Sequence, residues 1–244
     1  MEATQLGKLW GISVGPGDPE LLTIKATRLL KTCPVVAFPA GRKGQPGMAE
    51  RIVSGWLNPS QIQLPLYFPY VQAEDQLQAA WNAAAGTVWS YLAQGQDVVF
   101  ATEGDASLYS TFTYLAQALQ QTHPNVVIQT VPGVCSPLAA AAVLGKPLAS
   151  LAQRLTILPA LYTTEDLETA IERSDVVVLL KVASVYQGVW QILHKHQLLQ
   201  HSSVIVQATQ PEQQIYQGLE AYADLVLPYF SLLIIRCSKE IRLG

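Results

Sequence analysis

Short apolar runs alternate with segments of helical spacing through the first part of the chain. The apolar runs predict strands at residues 9–14, 35–38, 62–66, 97–101 and 126–131. Between them, apolar residues such as Ala26, Leu29 and Leu30 recur every three or four positions, which predicts amphipathic helices. Strands that alternate with helices are typical of a parallel sheet covered on both faces.

The pattern changes after Gly145, Lys146 and Pro147, beyond which the spacing is less regular. Further strands are predicted at residues 155–158, 176–180, 204–207 and 232–235, with helices between them. We therefore predict an α/β protein of two domains. Residues 1–147 form an N-terminal α/β domain with a mostly parallel sheet, which includes a small-residue helix at 138–144, and residues 148–244 form a C-terminal mixed α/β domain.

The composition limits the class of partner. Fifteen Lys and Arg residues against 18 Asp and Glu give 15 − 18 = −3, so nucleic acid is excluded as the main partner. Apolar residues make up 50% of the chain, which excludes a disordered protein. No apolar run reaches the roughly 18 residues that span a bilayer, so no membrane association is expected. The three cysteines are far apart and form no metal-binding or disulfide pattern, which favours a reduced, cytoplasmic protein without a metal site.

Three loops rich in Gly and Pro follow predicted strands of the first domain, at residues 15–18, 103–105 and 132–133. Ligands of open α/β sheets bind at the carboxyl ends of the strands, and glycine lets a ligand approach the backbone closely. The loops therefore predict a binding site at this edge. The alternative is that they are ordinary turns between strands and helices, because turn geometry alone favours Gly and Pro.

The chemistry of these loops does not match a nucleotide-binding motif. They contain neither the GxGxxG spacing of a dinucleotide fold nor the Gly-Lys-Ser/Thr of a phosphate-binding loop. The carboxylates of Asp18, Glu103 and Asp105 would repel a phosphate. They favour a neutral or cationic ligand that carries hydroxyl groups.

Three ordered segments of the sequence resemble the tetrapyrrole (corrin/porphyrin) methyltransferase family. They are LWGISVGPGDPELLTIKA at residues 9–26, TEGDASLYSTF at 102–112 and PGVCS at 132–136. Two residues depart from the family pattern: Ala106 stands where the second segment usually has proline, and Cys135 where the third often has serine. The resemblance covers almost the whole chain.

The resemblance implies a homodimeric enzyme that binds S-adenosylmethionine in a cleft between its two α/β domains, without the common Rossmann fold. The expected reaction is methyl transfer to C20 of precorrin-2 or cobalt-precorrin-2 in cobalamin biosynthesis. Methylation of another precorrin or of uroporphyrinogen, or of a protein side chain as by diphthine synthase, remains an alternative. The cofactor-binding residues that it implies are Pro16, Gly104, Asp105, Tyr109, Ser110, Thr111, Cys135, Ser136, Lys181, Val182, Thr209 and Ser231.

Methyl transfer to a ring carbon also needs a proton acceptor, because the carbon loses a proton after it is methylated. Glu103, Asp105 and Tyr109 are the candidates for this catalytic role, directly or through water. The alternative is that these residues only shape the loop.

The small-molecule tetrapyrrole substrate carries several carboxylates, so cationic side chains are expected around it. Arg42 and Lys43 form a compact basic loop after the second strand and are candidates to bind the carboxylates, with Asp18 as a further substrate-binding candidate. The alternative is that Arg42 and Lys43 form a solvated surface turn.

Overall fold

The computed structural model describes residues 5–41, 45–69, 73–161 and 163–237. Contacts between residues divide the chain into two compact units, Met1–Cys135 and Ser136–Gly244. Within the described ranges, no helix combines the length and the apolar character that crossing a bilayer requires.

The N-terminal unit contains a five-stranded sheet in the order β3-β2-β4-β1-β5. All four strand pairings are parallel, as the alternation of strands and helices predicted. The strands are β1 (Leu9–Ser13), β2 (Val35–Pro39), β3 (Ile62–Leu66), β4 (Val98–Thr102) and β5 (Ile128–Val131).

Helices cover both faces of this sheet. They are α1 (Ile24–Thr32), α2 (Met48–Val53), α3 (Glu74–Leu92) and α4 (Thr111–Thr122). Helices α1 and α2 pack on the face that carries Ile12 and Phe38. Helices α3 and α4 pack on the opposite face, against Leu9 and Phe100. The neighbouring strands β1 and β4 are therefore followed by helices on opposite faces of the sheet. This change of face makes the junction of β1 and β4 a topological switch point.

The first helix does not begin directly after the loop at residues 15–18. Asp18 caps only a short 3₁₀ turn, Pro19–Leu21, and Leu22 is extended. Helix α1 begins at Ile24, where the Thr23 hydroxyl accepts a hydrogen bond from the Ala26 amide at 3.2 Å. Thr23 thus caps the start of α1, after the extended residue Leu22.

The C-terminal unit contains a mixed five-stranded sheet in the order β6-β7-β10-β8-β9. Only β6 and β7 pair in parallel, whereas the other neighbours are antiparallel, and this confirms the predicted mixed sheet. The strands are β6 (Leu155–Leu158), β7 (Val176–Leu180), β8 (Ser202–Val206), β9 (Gln214–Gln217) and β10 (Ser231–Arg236), and the helices are α5 (Ser136–Val143), α6 (Thr164–Arg173) and α7 (Tyr186–Lys195). The sequence did not predict β9, because it is a short edge strand of four residues with a glutamine at each end.

The division between the units lies before the position that the sequence suggested. We predicted a boundary after residue 147, but the contacts place α5 with the second unit. Ala140 and Ala141 of α5 belong to the same core cluster as Val178 and Ile205 of the C-terminal sheet. The break at Gly145 therefore follows a helix that packs with the second unit, and the domain boundary after residue 147 stays a prediction.

Candidate functional site

The predicted Gly- and Pro-rich loops of the N-terminal unit share one edge of its sheet. Ser13 at the end of β1 pairs with Thr102 at the end of β4, and β5 flanks β1 on the other side. Gly15 and Gly104 then form an isolated antiparallel bridge, with N···O distances of 3.1 and 2.8 Å. The bridge lies at the topological switch point, where open α/β sheets bind their ligands.

Gly104 leaves open space beside the backbone of this edge. Its φ is +66°, a left-handed conformation that glycine adopts without strain. A Cβ atom added to Gly104 would meet no heavy atom within 4 Å. The absent side chain therefore lets a ligand contact the peptide group directly.

Asp105 connects the second loop to the third. Its Oδ2 accepts a hydrogen bond from the Gly133 amide at 2.7 Å, and its Oδ1 accepts one from the Ser107 amide at 2.8 Å. Both carboxylate oxygens thus bind backbone amides of the loops. The sequence placed Asp105 in the cofactor site and among the proton acceptors, and both roles stay predictions.

Residues 109–111, which follow the second loop, differ in their exposure to solvent. Tyr109 has a left-handed φ of 51°, and it is 54% exposed. Ser110 is buried and caps α4, because its hydroxyl accepts from the Phe112 amide at 3.1 Å and lies 3.0 Å from the Thr102 hydroxyl. Thr111, the first residue of α4, is half-buried. A ligand at this edge can therefore reach the Tyr109 side chain more directly than that of Ser110.

Glu103 lies in a desolvated environment. Burial raises the pKa of its carboxyl, and the backbone amides of Glu103 itself and of Ala49, at the start of α2, offset part of that rise. A carboxylate with a raised pKa binds a proton more strongly, so Glu103 has the electrostatic character of a proton acceptor.

The remaining predicted residues of this unit lie on the same loops or outside the described residues. Pro16 and Cys135 are half-exposed, and Asp18 accepts a hydrogen bond from the Glu20 amide at 2.8 Å. The predicted substrate clamp, Arg42 and Lys43, lies outside the described residues. In the part of the chain that the structure describes, no group of three or more His, Cys, Asp or Glu side chains is arranged to hold a metal ion.

The predicted residues of the C-terminal unit also share one edge of their own sheet. Leu180 pairs with Leu232, and Ser231 pairs with Val206, so residues after β7 and β8 lie beside the start of β10. Lys181 and Thr209 have left-handed φ values of 53° and 68°. Such conformations are uncommon for residues other than glycine and cluster at functional sites.

The side chains at this second edge differ in what they contact. Lys181 is exposed, with its Nζ 6.0 Å from the centre of the Tyr229 ring. Val182 is fully buried in the core of the unit, and the Ser231 hydroxyl donates to the Pro228 carbonyl at 2.7 Å. Ser136, which is also a predicted cofactor-binding residue, is the first residue of α5.

Sequence reasoning missed Ser13 as a residue of the site. It is the last residue of β1, it is 1% exposed, and its hydroxyl bonds to groups of the two other loops. The available signal was a hydroxyl residue at the end of an otherwise apolar strand, directly before a Gly-rich loop. That signal is weak, because which loops meet there depends on the order of the strands.

The sequence matches the profile of the tetrapyrrole (corrin/porphyrin) methylases over residues 8–223. The chain belongs to this family. It is 33% identical to the cobalt-precorrin-2 C(20)-methyltransferase of Salmonella typhimurium, in an alignment that covers 96% of this chain and 98% of that protein. It is 29% identical to the precorrin-2 C(20)-methyltransferase of a Sinorhizobium species, over 98% of this chain and 99% of the relative.

Solved structures of the same family share the fold. A cobalt precorrin-4 methyltransferase superposes with a TM-score of 0.72 at 20% identity, over 93% of this chain and 94% of that one. The uroporphyrin-III C-methyltransferase of Thermus thermophilus, solved with S-adenosylhomocysteine, gives a TM-score of 0.66 at 21% identity, over 94% of this chain and 97% of that one. At these identities the likeness shows the fold alone, and function has to be argued from the site and the closer relatives.

Proposed function

We propose that this protein is an S-adenosylmethionine-dependent C-methyltransferase that methylates C20 of precorrin-2 or cobalt-precorrin-2 in cobalamin biosynthesis. The observation that carries the proposal is the 33% identity to a cobalt-precorrin-2 C(20)-methyltransferase over 98% of that protein's length. A relative named for the metal-free substrate is 29% identical over a similar span, so both forms of precorrin-2 are candidate substrates.

The edge at Gly15 and Gly104 suits the proposed cofactor. S-adenosylmethionine supplies an electrophilic methyl group on a sulfonium, together with hydroxyl, amino and carboxylate groups. The open space at Gly104 exposes peptide groups that can bind such hydroxyls, and the carboxylates of the loops favour a cationic centre. Pro16, Tyr109 and Thr111 would line the cofactor on the same edge.

The remaining cofactor-binding predictions are part of the same proposal. The open backbone at Gly104 and the left-handed conformations of Lys181 and Thr209 support it. The fully buried side chain of Val182 limits that residue to contacts through its backbone. These predicted residues are Gly104, Asp105, Ser110, Cys135, Ser136, Lys181, Val182, Thr209 and Ser231.

For catalysis we propose that the protein positions the reacting carbon and removes its proton. Alignment of two reactants in a fixed geometry lowers a barrier by up to about 7–11 kcal/mol in the best cases. Among the three candidate acceptors, Glu103 has the raised pKa that favours taking the proton, while the carboxylate of Asp105 already binds two amides. Tyr109 is exposed and remains a second candidate.

We also propose that Arg42 and Lys43 bind carboxylates of the tetrapyrrole, with Asp18 near a neutral or cationic part of the substrate. The basis is the compact pair of cations in the sequence, because cationic donors form the strongest hydrogen bonds to carboxylates. A homodimer in the cytoplasm is the expected working form, and light scattering of the purified protein tests the dimer.

A methyl-transfer assay with several substrates tests the proposal. The protein is incubated with ¹³C-methyl-labelled S-adenosylmethionine and, in parallel, precorrin-2, cobalt-precorrin-2, uroporphyrinogen III and a precorrin-4. We expect a single methyl group to enter one or both forms of precorrin-2, with the label at C20 by NMR. Methylation of only the other substrates, or label at another ring carbon of precorrin-2, would contradict the assignment.

A further inference from the structure

We propose that Ser13 and Asp105 form a latch that holds the three cofactor loops of the N-terminal unit in their binding geometry. The latch is defined as the Ser13 hydroxyl and the Asp105 carboxylate. Both are positioning residues, and the inference rests on the proposed function, because it assumes that the loops bind S-adenosylmethionine.

The Ser13 hydroxyl joins the end of β1 to both neighbouring loops. It donates its proton to the Val131 carbonyl at 2.7 Å, at the end of β5. It also accepts a hydrogen bond from the Ala106 amide at 2.8 Å, in the loop after β4. Because Ser13 is 1% exposed, water cannot replace these bonds if the hydroxyl is removed.

The Asp105 carboxylate closes the remaining connection. Its Oδ2 accepts from the Gly133 amide, which ties the loop after β4 to the loop after β5. The same oxygen lies 3.5 Å from the Ser13 hydroxyl, so the two side chains are adjacent. The backbone bridge between Gly15 and Gly104 already joins the first loop to the second. The second loop is thus connected to the first through the glycine bridge and to the third through Asp105, while the Ser13 hydroxyl fixes the second loop and the end of β5 to β1.

The space around the latch leaves little freedom for the third loop. A Cβ atom added to Gly133 would lie 2.5 Å from the Cβ of Ser13 and 3.2 Å from its carbonyl oxygen. Gly133 therefore packs directly on Ser13, and this contact holds the Gly133 amide in position to donate to Asp105. A site held in this way needs no ordering when its ligand binds, which increases affinity.

The test compares Ser13→Ala with a matched control, Ser202→Ala. Ser202 is also 1% exposed, and its hydroxyl donates to the Leu198 carbonyl at 2.8 Å, but it begins β8 in the C-terminal unit and belongs to no predicted site. Calorimetry with S-adenosylhomocysteine and thermal unfolding are measured for wild type, both serine variants, Asp105→Asn and the double variant Ser13→Ala/Asp105→Asn.

We expect Ser13→Ala and Asp105→Asn each to raise the Kd by about tenfold or more, which corresponds to about 1.4 kcal/mol. Ser202→Ala should change the Kd less than about twofold at a comparable loss of thermal stability. The KM for S-adenosylmethionine should rise in Ser13→Ala, while its kcat at saturating cofactor stays within a few-fold of wild type. Since both residues serve one latch, the double variant should lose less affinity than the product of the single losses.

Two results would overturn the inference separately from the proposed function. Wild-type affinity in Ser13→Ala and in Asp105→Asn, beside normal binding by the wild type, would refute the latch alone, as would fully multiplicative losses in the double variant. If Ser13→Ala does not fold, the affinity of Ser13→Cys decides, because a thiol keeps the size of the side chain but is a weaker hydrogen-bonding partner. No binding of S-adenosylhomocysteine by the wild type would overturn the proposed function, and the latch with it.

Discussion

The backbone at Gly104 allows a prediction that separates cofactor binding from stability. Gly104→Ala places a methyl group in the open space that we assign to the cofactor, on a residue with φ +66°. Gly145→Ala is a close match, because Gly145 has φ +63°, and its added Cβ would also meet no heavy atom within 4 Å. Gly145 lies just after α5, in no predicted site.

The two variants should lose similar stability. A left-handed conformation costs a residue other than glycine roughly 1–2 kcal/mol, and neither methyl group meets a steric clash. For a chain of this size, each kcal/mol lowers the Tm by about 2–4 °C. Thermal unfolding without ligand should therefore show comparable shifts for Gly104→Ala and Gly145→Ala.

Their affinities for S-adenosylhomocysteine should differ. A methyl group inserted into a packed contact costs typically about 1–3 kcal/mol, so the Kd of Gly104→Ala should rise by about fivefold to 150-fold. Gly145→Ala should bind as the wild type does. Calorimetry measures both values. Equal affinity of the two folded variants would show that the cofactor does not approach the backbone at Gly104.

Three further predictions concern charge and packing. Because burial raises the pKa of Glu103, the wild type loses stability as the pH rises above about 4.5, the ordinary value, towards the raised pKa. Glu103→Gln should therefore be more stable than wild type at pH 7, and the difference should vanish below about pH 4.5. Its kcat should fall, because glutamine cannot take the proton. Urea unfolding at both pH values and single-turnover kinetics measure this, and a stability difference independent of pH would contradict it. The double variant Arg42→Ala/Lys43→Ala should raise the KM for the tetrapyrrole about tenfold, while the Kd of S-adenosylhomocysteine stays unchanged. An unaltered KM would show that both residues form only a solvated surface turn. Gly11→Ala should destabilise the fold by about 2 kcal/mol or more, because the added Cβ would lie 2.2 Å from the Phe112 ring; denaturant unfolding tests this, and a loss below about 0.5 kcal/mol would refute it.

The positions of most strands along the chain, and of the loops that follow them, were predictable from the sequence. The apolar runs and the helical segments between them predicted a parallel sheet. A strand buried on both faces is apolar throughout, as Val98–Thr102 largely is. The polar edge strand Gln214–Gln217 carries no such signal, and it was missed. The helix at 138–144 was predicted to belong to the first domain, because small residues alone do not indicate which sheet a helix packs on, whereas Ala140 and Ala141 share a core cluster with the C-terminal sheet.

The sequence indicates candidate residues for the site, but it does not indicate their hydrogen bonds. Gly104 and Asp105 stand out in the sequence because of the loop motif. Nothing in the sequence shows that Asp105 binds the Gly133 amide, 28 residues away, or that Ser13 binds the Ala106 amide, 93 residues away. Such long-range partners follow from which strands are neighbours in the sheet.

A crystal structure of the protein with S-adenosylhomocysteine tests the central claim most directly. We predict that the ligand contacts the peptide groups at Gly104 and the loop at residues 132–135, with Ser13 and Asp105 still bonded to their backbone partners behind it. A ligand bound elsewhere, with this sheet edge in contact only with solvent, would contradict the account.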